Sequence, residues 1–294
     1  MKVGIYGQFY HKDSGEYVTY LLENLHQFGV EIYIEKQYYK IFSEKVDVTE
    51  SYKTFESYDD LDESFDLFFS IGGDGTILRT ITLVQDLNIP ILGINTGRLG
   101  FLATIQKEEI KDAISKIISK EFTVIERSVL AVETSPTNED IAAMNFALNE
   151  VTVARKDTTS MITVKTHLNG EYLNSYWADG LIVATPTGST GYSLSCGGPV
   201  ITPNNNSFVL TPIAPHNLNA RPLVIPDHTN IRLEVSGRED KHLISLDSRI
   251  ATVNINSTIT IKKAPFTVKL VELEGQSFLK TLRKKLLWGE DKRN

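Results

Sequence analysis

One cysteine, Cys196, is all the thiol chemistry in a chain of 294 residues. No intramolecular disulfide can form, which fits a reducing compartment. Long apolar runs are absent too. No stretch approaches the roughly 18–20 apolar residues that a membrane span requires, and the opening MKVGIYGQFY has no apolar core of a secretory leader. Positive charge is in short supply, with 30 Lys and Arg against 37 Asp and Glu and a net charge of −7. That balance is poor equipment for gripping nucleic acid, although a local basic pocket for phosphate stays open. The expectation is a cytoplasmic protein with no nucleic acid and no membrane among its partners.

What is present is ordinary globular material, 41% hydrophobic and 23% charged, long enough for about two domains with cores of their own. Residues 2–7 read as a short apolar strand. Residues 16–28 place Tyr17, Tyr20, Leu21, Leu25 and Phe28 on one helical face, Gly29 follows as a C-cap, and 30–35 alternate as a strand. Residues 65–71 are apolar on both faces, as a buried parallel strand should be. They run into a glycine-rich turn, a helix over 76–87, a strand over 89–94 and an amphipathic helix over 108–118. This alternation predicts an α/β N-terminal domain, residues 1–120, with an open, mostly parallel sheet.

From 122 to about 273 the signals become mostly short strands. Residues 161–167 and 171–177 flank Asn169-Gly170, a type I′ hairpin signal. Further strands are expected at 181–185, 208–211, 231–235, 243–246, 258–262 and 267–271, with 134–140 a surface loop. The second domain, 121–275, is therefore expected to be β-rich and sandwich-like. Residues 276–294 supply a C-terminal helix and tail. The helix carries Phe278, Leu282 and Leu286 and is expected to pack back on the first domain. Its Lys280, Arg283, Lys284 and Lys285 read as a solvated face rather than a membrane patch.

Three features carry chemistry. The first is Gly72-Gly73-Asp74-Gly75-Thr76 between strand and helix. Glycines let the backbone approach a ligand, and the amides opening the helix point at an anion. It is neither a Walker A loop nor a Rossmann fingerprint. Phosphate repels a carboxylate, so a loop built only to hold phosphate would avoid Asp74. The residue makes sense as a base on a hydroxyl nucleophile, as a metal holder, or as the Asp of a tight turn. Arg79, one helical turn beyond Gly75, is placed to reach a phosphate oxygen or to remain solvated. The second feature is ADGLIVATPTGSTGYSLS, residues 178–195, a strand–turn–helix dense in hydroxyls, with Ser189 as a plausible N-cap. Hydroxyls and amides suit an adenine or ribose, and Tyr192 suits a ring, but a capped Ser/Thr turn has the same look. The third is Asn149-Glu150 in an otherwise apolar strand. Neighbours on a strand face opposite ways, so at least one points inward. A carboxylate and a carboxamide can bind two ribose hydroxyls, or the pair is an edge-strand pair facing water. Asp179 is a further candidate or a turn residue.

Together, SIGGDGTILR (70–79), GINTGRLGFLA (93–103), ALNEVTV (147–153), DGLIVATPTGSTGYSLSCGGPV (179–200) and PIAPHNLNARPLVI (212–225) resemble the NAD kinase family. The resemblance implies transfer of the γ-phosphoryl group of ATP to the 2′-hydroxyl of the adenosine ribose of NAD. It makes Asp74 the general base, and Gly72, Gly73 and Gly75 holders of the ATP phosphates with Mg2+ or another divalent cation. Asn149 and Glu150 would grip NAD, with Asp179 near its nicotinamide end. Thr190, Gly191, Tyr192, Ser193, Leu194 and Ser195 would line the adenine and ribose, and Thr187, Ala214 and Arg249 would approach the dinucleotide. Family members are homodimers or homotetramers. No metal ligand is assigned, since phosphate oxygens can hold the ion. The resemblance marks Gly191, where many relatives carry Ala, as a mild change. Rival readings are a lipid kinase of the diacylglycerol type, which shares the glycine loop, and a dinucleotide-binding sensor without catalysis.

Overall fold

The computed structural model describes residues 1–8, 14–46, 50–156 and 160–289; the end of the expected tail, 290–294, lies outside them. The chain divides into two compact units, 1–126 with 268–294, and 127–267.

In the first unit, runs of apolar residues form β1 (Lys2–Gly7), β2 (Glu31–Glu35), β3 (Lys53–Phe55), β4 (Leu67–Gly72) and β5 (Ile91–Asn95), all parallel, in the order β5-β4-β1-β2-β3. Every residue of β4 is buried, as a strand covered on both faces must be. Its Leu67, Phe69 and Ile71 share a core with α1 (Ser14–His26) and α4 (Ile110–Ile118) through Leu21, Leu25, Ile110 and Ile114. The alternate residues face α3 (Asp74–Val84), where Thr80 Oγ1 donates to Ser70 Oγ at 2.9 Å. Residues 36–43 form a further helix, α2 (Lys36–Ser43), outside the expected elements, with Tyr38 and Phe42 buried at i, i+4. It is capped by the last residue of β2, since Glu35 accepts from the amides of Gln37 (3.0 Å) and Tyr38 (2.7 Å). Glutamate is not a preferred cap, so the start leaves no mark in the sequence. The C-terminal helix, Phe278–Leu286, opens with Ser277 accepting from the Lys280 amide at 3.2 Å. It packs on the loop after β5 as expected: the Phe278 and Phe101 rings lie 6.2 Å apart, and Thr104 Oγ1 donates to Gln276 Oε1 at 3.2 Å.

The second unit is built of antiparallel strands. These comprise part of β6 (Phe122–Ser135), then β7 (Phe146–Ala147), β8 (Glu150–Arg155), β9 (Ile162–Leu168), β10 (Glu171–Ala178), β11 (Gly180–Ala184), β12 (Ser207–Ile213), β13 (Leu223–Pro226), β14 (Ile231–Ser236), β15 (Lys241–Leu246), β16 (Arg249–Asn254) and the start of β17 (Thr258–Leu273). One sheet runs β13-β12-β11-β8-β15-β16, and a second array runs β10-β9-β14-β17. Val151, Leu181, Phe208 and Leu246 of the one share a core with Val164, Leu233 and Ile259 of the other, as expected of a sandwich. Asn169 (φ 50°) and Gly170 (φ 86°) both take positive φ, the type I′ turn that joins β9 to β10. The two strands expected at 258–262 and 267–271 are one, because Pro265 suits an extended chain and removes only a single donor. Within the expected loop 134–140, Asn138 caps a one-turn helix, accepting from the Ile141 amide at 3.2 Å. Among the described residues no helix is long and apolar enough to cross a membrane.

Candidate active site

The turn from β4 into α3 needs its first glycine for space. A Cβ on Gly72 would lie 2.1 Å from Thr76 Oγ1, whereas nothing among the described residues lies within 4 Å of one on Gly73 or Gly75. α3 starts at Asp74, two residues earlier than expected, with Gly73 as N-cap and no side-chain cap. The Thr76 amide donates back to Gly73 O at 2.9 Å, and no side chain caps the amides before it, which suits an anion. They face a pocket of about 290 Å³, walled by Gly73, Gly75 and Thr76 on one side and by Asn95, Thr96, Gly97 and Arg98 on the other. Arg79 is exposed and is not part of that wall.

The Asp74 carboxylate is held by the loop after β5. Oδ1 accepts from the amides of Leu102 (3.0 Å) and Ala103 (2.9 Å), and Oδ2 from that of Phe101 (2.8 Å). A carboxylate has about four lone-pair sites, so these three bonds leave one, on Oδ2. The loop that supplies the amides is closed by Asn95. Its Nδ2 donates to Arg98 O (2.8 Å) and Ala103 O (3.2 Å), and its Oδ1 accepts from the Gly97 amide (2.8 Å). Sequence reasoning assigned no role to residues 95–98. The available signal was position, since they leave the carboxyl end of a parallel strand beside β4, where open α/β sheets bind ligands.

In the second unit, Asn149 and Glu150 work together in a way that strand alternation does not suggest. Asn149 lies just before β8, and both side chains reach the same point, Gly191. A Cβ there would sit 2.9 Å from Glu150 Oε2 and 3.6 Å from Asn149 Nδ2. One Glu150 oxygen accepts from the Tyr192 amide. Glu150 Oε2 and Asn149 Oδ1 are buried with no hydrogen-bond partner among the described residues. Such atoms cost folding free energy unless something binds them. Desolvation, then the nearby Asp247 carboxylate, pushes the Glu150 carboxyl up to about 8. An alanine at 191, expected to be mild, makes this carboxyl give way.

The hydroxyl-rich segment divides its labour. Thr185 Oγ1 donates to Leu148 O (2.6 Å) and accepts from the Gly188 amide (3.1 Å), and Gly188 has room for no side chain, since a Cβ would meet Asn149 O at 2.0 Å. These bonds lock the 185–190 turn to the Asn149 backbone. Ser189 is not an N-cap. The turn at Thr187–Thr190 is 3-10 helical, and Ser189 Oγ accepts from the Ile201 amide at 2.9 Å. Thr190 Oγ1 bonds Thr187 O (3.1 Å), and Ser193 Oγ is buried against Thr211 Oγ1 (2.8 Å). Tyr192 and Ser195 are exposed, and Gly191 and Leu194 are half-buried. Asp179 pairs with Arg155 at 3.1 Å. Ala214 is exposed and holds φ 44°, a strained backbone for alanine.

Asp247, to which sequence reasoning gave no role, organises this corner. Its carboxylate accepts from the amides of Leu148 (3.0 Å), Asn149 (2.8 Å) and Glu150 (3.2 Å). Burial pushes that carboxyl above its usual range, while the three amides and Arg249 pull against the shift. Arg249 donates to Met144 O (2.8 Å) and to Phe146 O, and stacks over the Phe146 ring at 5.1 Å. Its guanidinium is thus spent on the backbone before Asn149. Among the described residues no three carboxylate, imidazole or thiol side chains gather around one metal position.

A glycine-lined pocket at a helix start, a carboxylate fixed by the neighbouring loop, and buried acceptors without partners among the described residues are features of a nucleotide-directed phosphotransferase. Comparison with known proteins narrows it. Residues 3–122 match the family model of the ATP-NAD kinase N-terminal domain, and residues 148–273 that of the C-terminal domain. The chain belongs to the NAD kinase family. It is 60% identical over 294 residues to the NAD kinase of Christiangramia forsetii and 56% identical to that of Flavobacterium johnsoniae, each covered in full, as is this chain. Among solved structures, an Archaeoglobus fulgidus NAD kinase in complex with ATP matches with a TM-score of 0.75 at 28% identity, over 98% of this chain and 99% of that one. The yeast NADH kinase complexed with NADH shares the fold, with a TM-score of 0.88 at 22% identity, over 99% of this chain and 88% of that one.

Proposed function

We propose that this chain phosphorylates NAD with ATP, moving the γ-phosphoryl group to the 2′-hydroxyl of the adenosine ribose, with Asp74 as the base on that hydroxyl. The observation that carries the reading is the Asn149–Glu150 corner: Glu150 Oε2 and Asn149 Nδ2 both lie beside Gly191, and Glu150 Oε2 and Asn149 Oδ1 are buried with no hydrogen-bond partner among the described residues. Buried acceptors on two neighbouring residues ask for donors, and the hydroxyls of a ribose supply them.

Chemically, the protein's task is to position and to stabilise charge. The amides at the start of α3, together with Gly72, Gly73 and Gly75, hold the ATP phosphates. Arg79 and Arg98 are cations for the charge that develops on the transferred group. The Oδ2 lone pair left open on Asp74 takes the 2′-hydroxyl proton, while the Phe101–Ala103 amides fix the carboxylate and stabilise its charge. A divalent ion such as Mg2+, when bound with ATP, neutralises phosphate charge. Asn149 and Glu150 grip NAD, Asp179, held by Arg155, meets its nicotinamide end, and Thr187 and Ala214 border it. The 190–195 segment lines the adenosine, with the exposed Tyr192 ring as its stacking surface and Ser193 acting through its bond to Thr211.

Because burial holds Glu150 protonated near neutral pH, an ionised carboxylate is available to the ribose only as pH rises through about 8. The KM for NAD therefore falls with rising pH, by at most about tenfold per unit below that value, and levels off above it. Glu150→Gln flattens the profile and raises KM at pH 9. An unchanged profile in the variant removes Glu150 from the ribose. A cytoplasmic setting and a homodimer or homotetramer belong to the same proposal; a monomeric mass by light scattering would overturn the assembly.

A further inference from the structure

Gly100 gives no local reason for being glycine. It is not among the residues with positive φ, and it does not line the phosphate pocket. The reason lies 26 residues away in the chain. A Cβ built on Gly100 would fall 1.9 Å from Asp74 Oδ1, 2.6 Å from its Cγ and 3.0 Å from Oδ2. The next three residues supply the amides that hold the same carboxylate. The backbone therefore passes so close to the carboxylate edge that no side chain fits at the point of approach.

The loop has little freedom to retreat. Asn95 ties it at Gly97, Arg98 and Ala103, and the Gly100 amide donates to Ala103 O at 3.3 Å. The Phe101 ring is backed by Phe278 and lies 5.7 Å from the Lys285 ammonium. With a methyl group at 100, either the carboxylate leaves its three amides or the loop moves and leaves them unpaired. Both outcomes shift Oδ2, the oxygen with the open lone pair.

We propose that Gly100 is a positioning residue for phosphoryl transfer: the side chain it lacks is the space that the base occupies. This rests on the reading of Asp74 as the base. A misplacement of roughly 1 Å costs about 100-fold in rate, so Gly100→Ala lowers kcat by about that factor. The KM for NAD stays near wild type, because the Asn149–Glu150 corner is not touched.

The test is a double-mutant cycle on kcat with Gly100→Ala and Asp74→Asn. Acting only through the carboxylate, Gly100→Ala adds no further loss in the Asp74→Asn background. Losses that multiply, or a Gly100→Ala variant with wild-type kcat, overturn the proposal. An Asp74→Asn variant with near-normal turnover instead overturns the base assignment beneath it. Should Gly100→Ala not fold, hydrogen exchange decides: in Asp74→Ala the Phe101, Leu102 and Ala103 amides exchange at least about tenfold faster than in wild type. Unchanged exchange at those amides means that the carboxylate does not hold the loop, and the proposal fails.

Discussion

Asp74→Asn lowers kcat by about 100- to 10,000-fold and leaves NAD binding measurable by calorimetry. The size follows from what the substitution removes. A carboxamide has almost no affinity for a proton, so the 2′-hydroxyl must lose its proton to water. Asn keeps one oxygen, which can still accept from Leu102 and Ala103, the two amides that share Oδ1. Its NH2 group then faces the Phe101 amide, which bonds Oδ2 in the parent. One unpaired amide costs about 1–3 kcal/mol, a loss that a urea melt registers without unfolding the protein. The Asn149–Glu150 corner is unaltered, so NAD still binds. Near-normal turnover in this variant would refute Asp74 as the base.

Asp247→Ala has the second largest effect, and it strikes stability and NAD recognition together. The Asp247 carboxylate is buried and accepts three consecutive amides, Leu148 to Glu150. Truncation strands all three in the protein interior and leaves Arg249, 4.0 Å from the carboxylate, without its counter-charge. Asp247 also holds φ 52°, which Ala tolerates less well than Asp or Asn. Together these losses amount to about 3–5 kcal/mol. The Asn149 and Glu150 side chains then have no fixed base, and the KM for NAD rises at least about tenfold. The KM for ATP, which the proposal assigns to the amides of α3, does not move. Urea unfolding and initial-rate kinetics on one preparation measure both. A stability loss below about 1 kcal/mol with an unchanged KM for NAD would rule out this role.

These two carboxylates show where sequence reading reaches and where it stops. Strands with both faces apolar, such as the one read at 65–71, announce a buried parallel sheet, and Asn169-Gly170 announces its hairpin, because those signals are local. The glycine loop and the Asn149-Glu150 pair are legible for the same reason: an unusual residue type interrupts a regular pattern. The partners of those residues are not legible. Asp74 is held by amides 27 to 29 residues away, and Asp247 reaches back 97 to 99 residues. Backbone amides carry no residue type, so nothing at 101–103 or 148–150 advertises a donor. Ser189 and Ser193 mislead in the opposite direction. Their hydroxyls look available in the sequence, yet both are buried and bonded within the fold. Gly100 falls between these cases, since its need for glycine arises wholly from a distant side chain.

The most direct test of the account is the destination of the phosphate. Purified protein is incubated with γ-labelled ATP, magnesium and NAD, with diacylglycerol vesicles in a parallel reaction, and the products are separated. Label in NADP, on the 2′-phosphate of the adenosine ribose, with none in lipid, is the predicted result. Label in the lipid, or NAD recovered unphosphorylated, would contradict it.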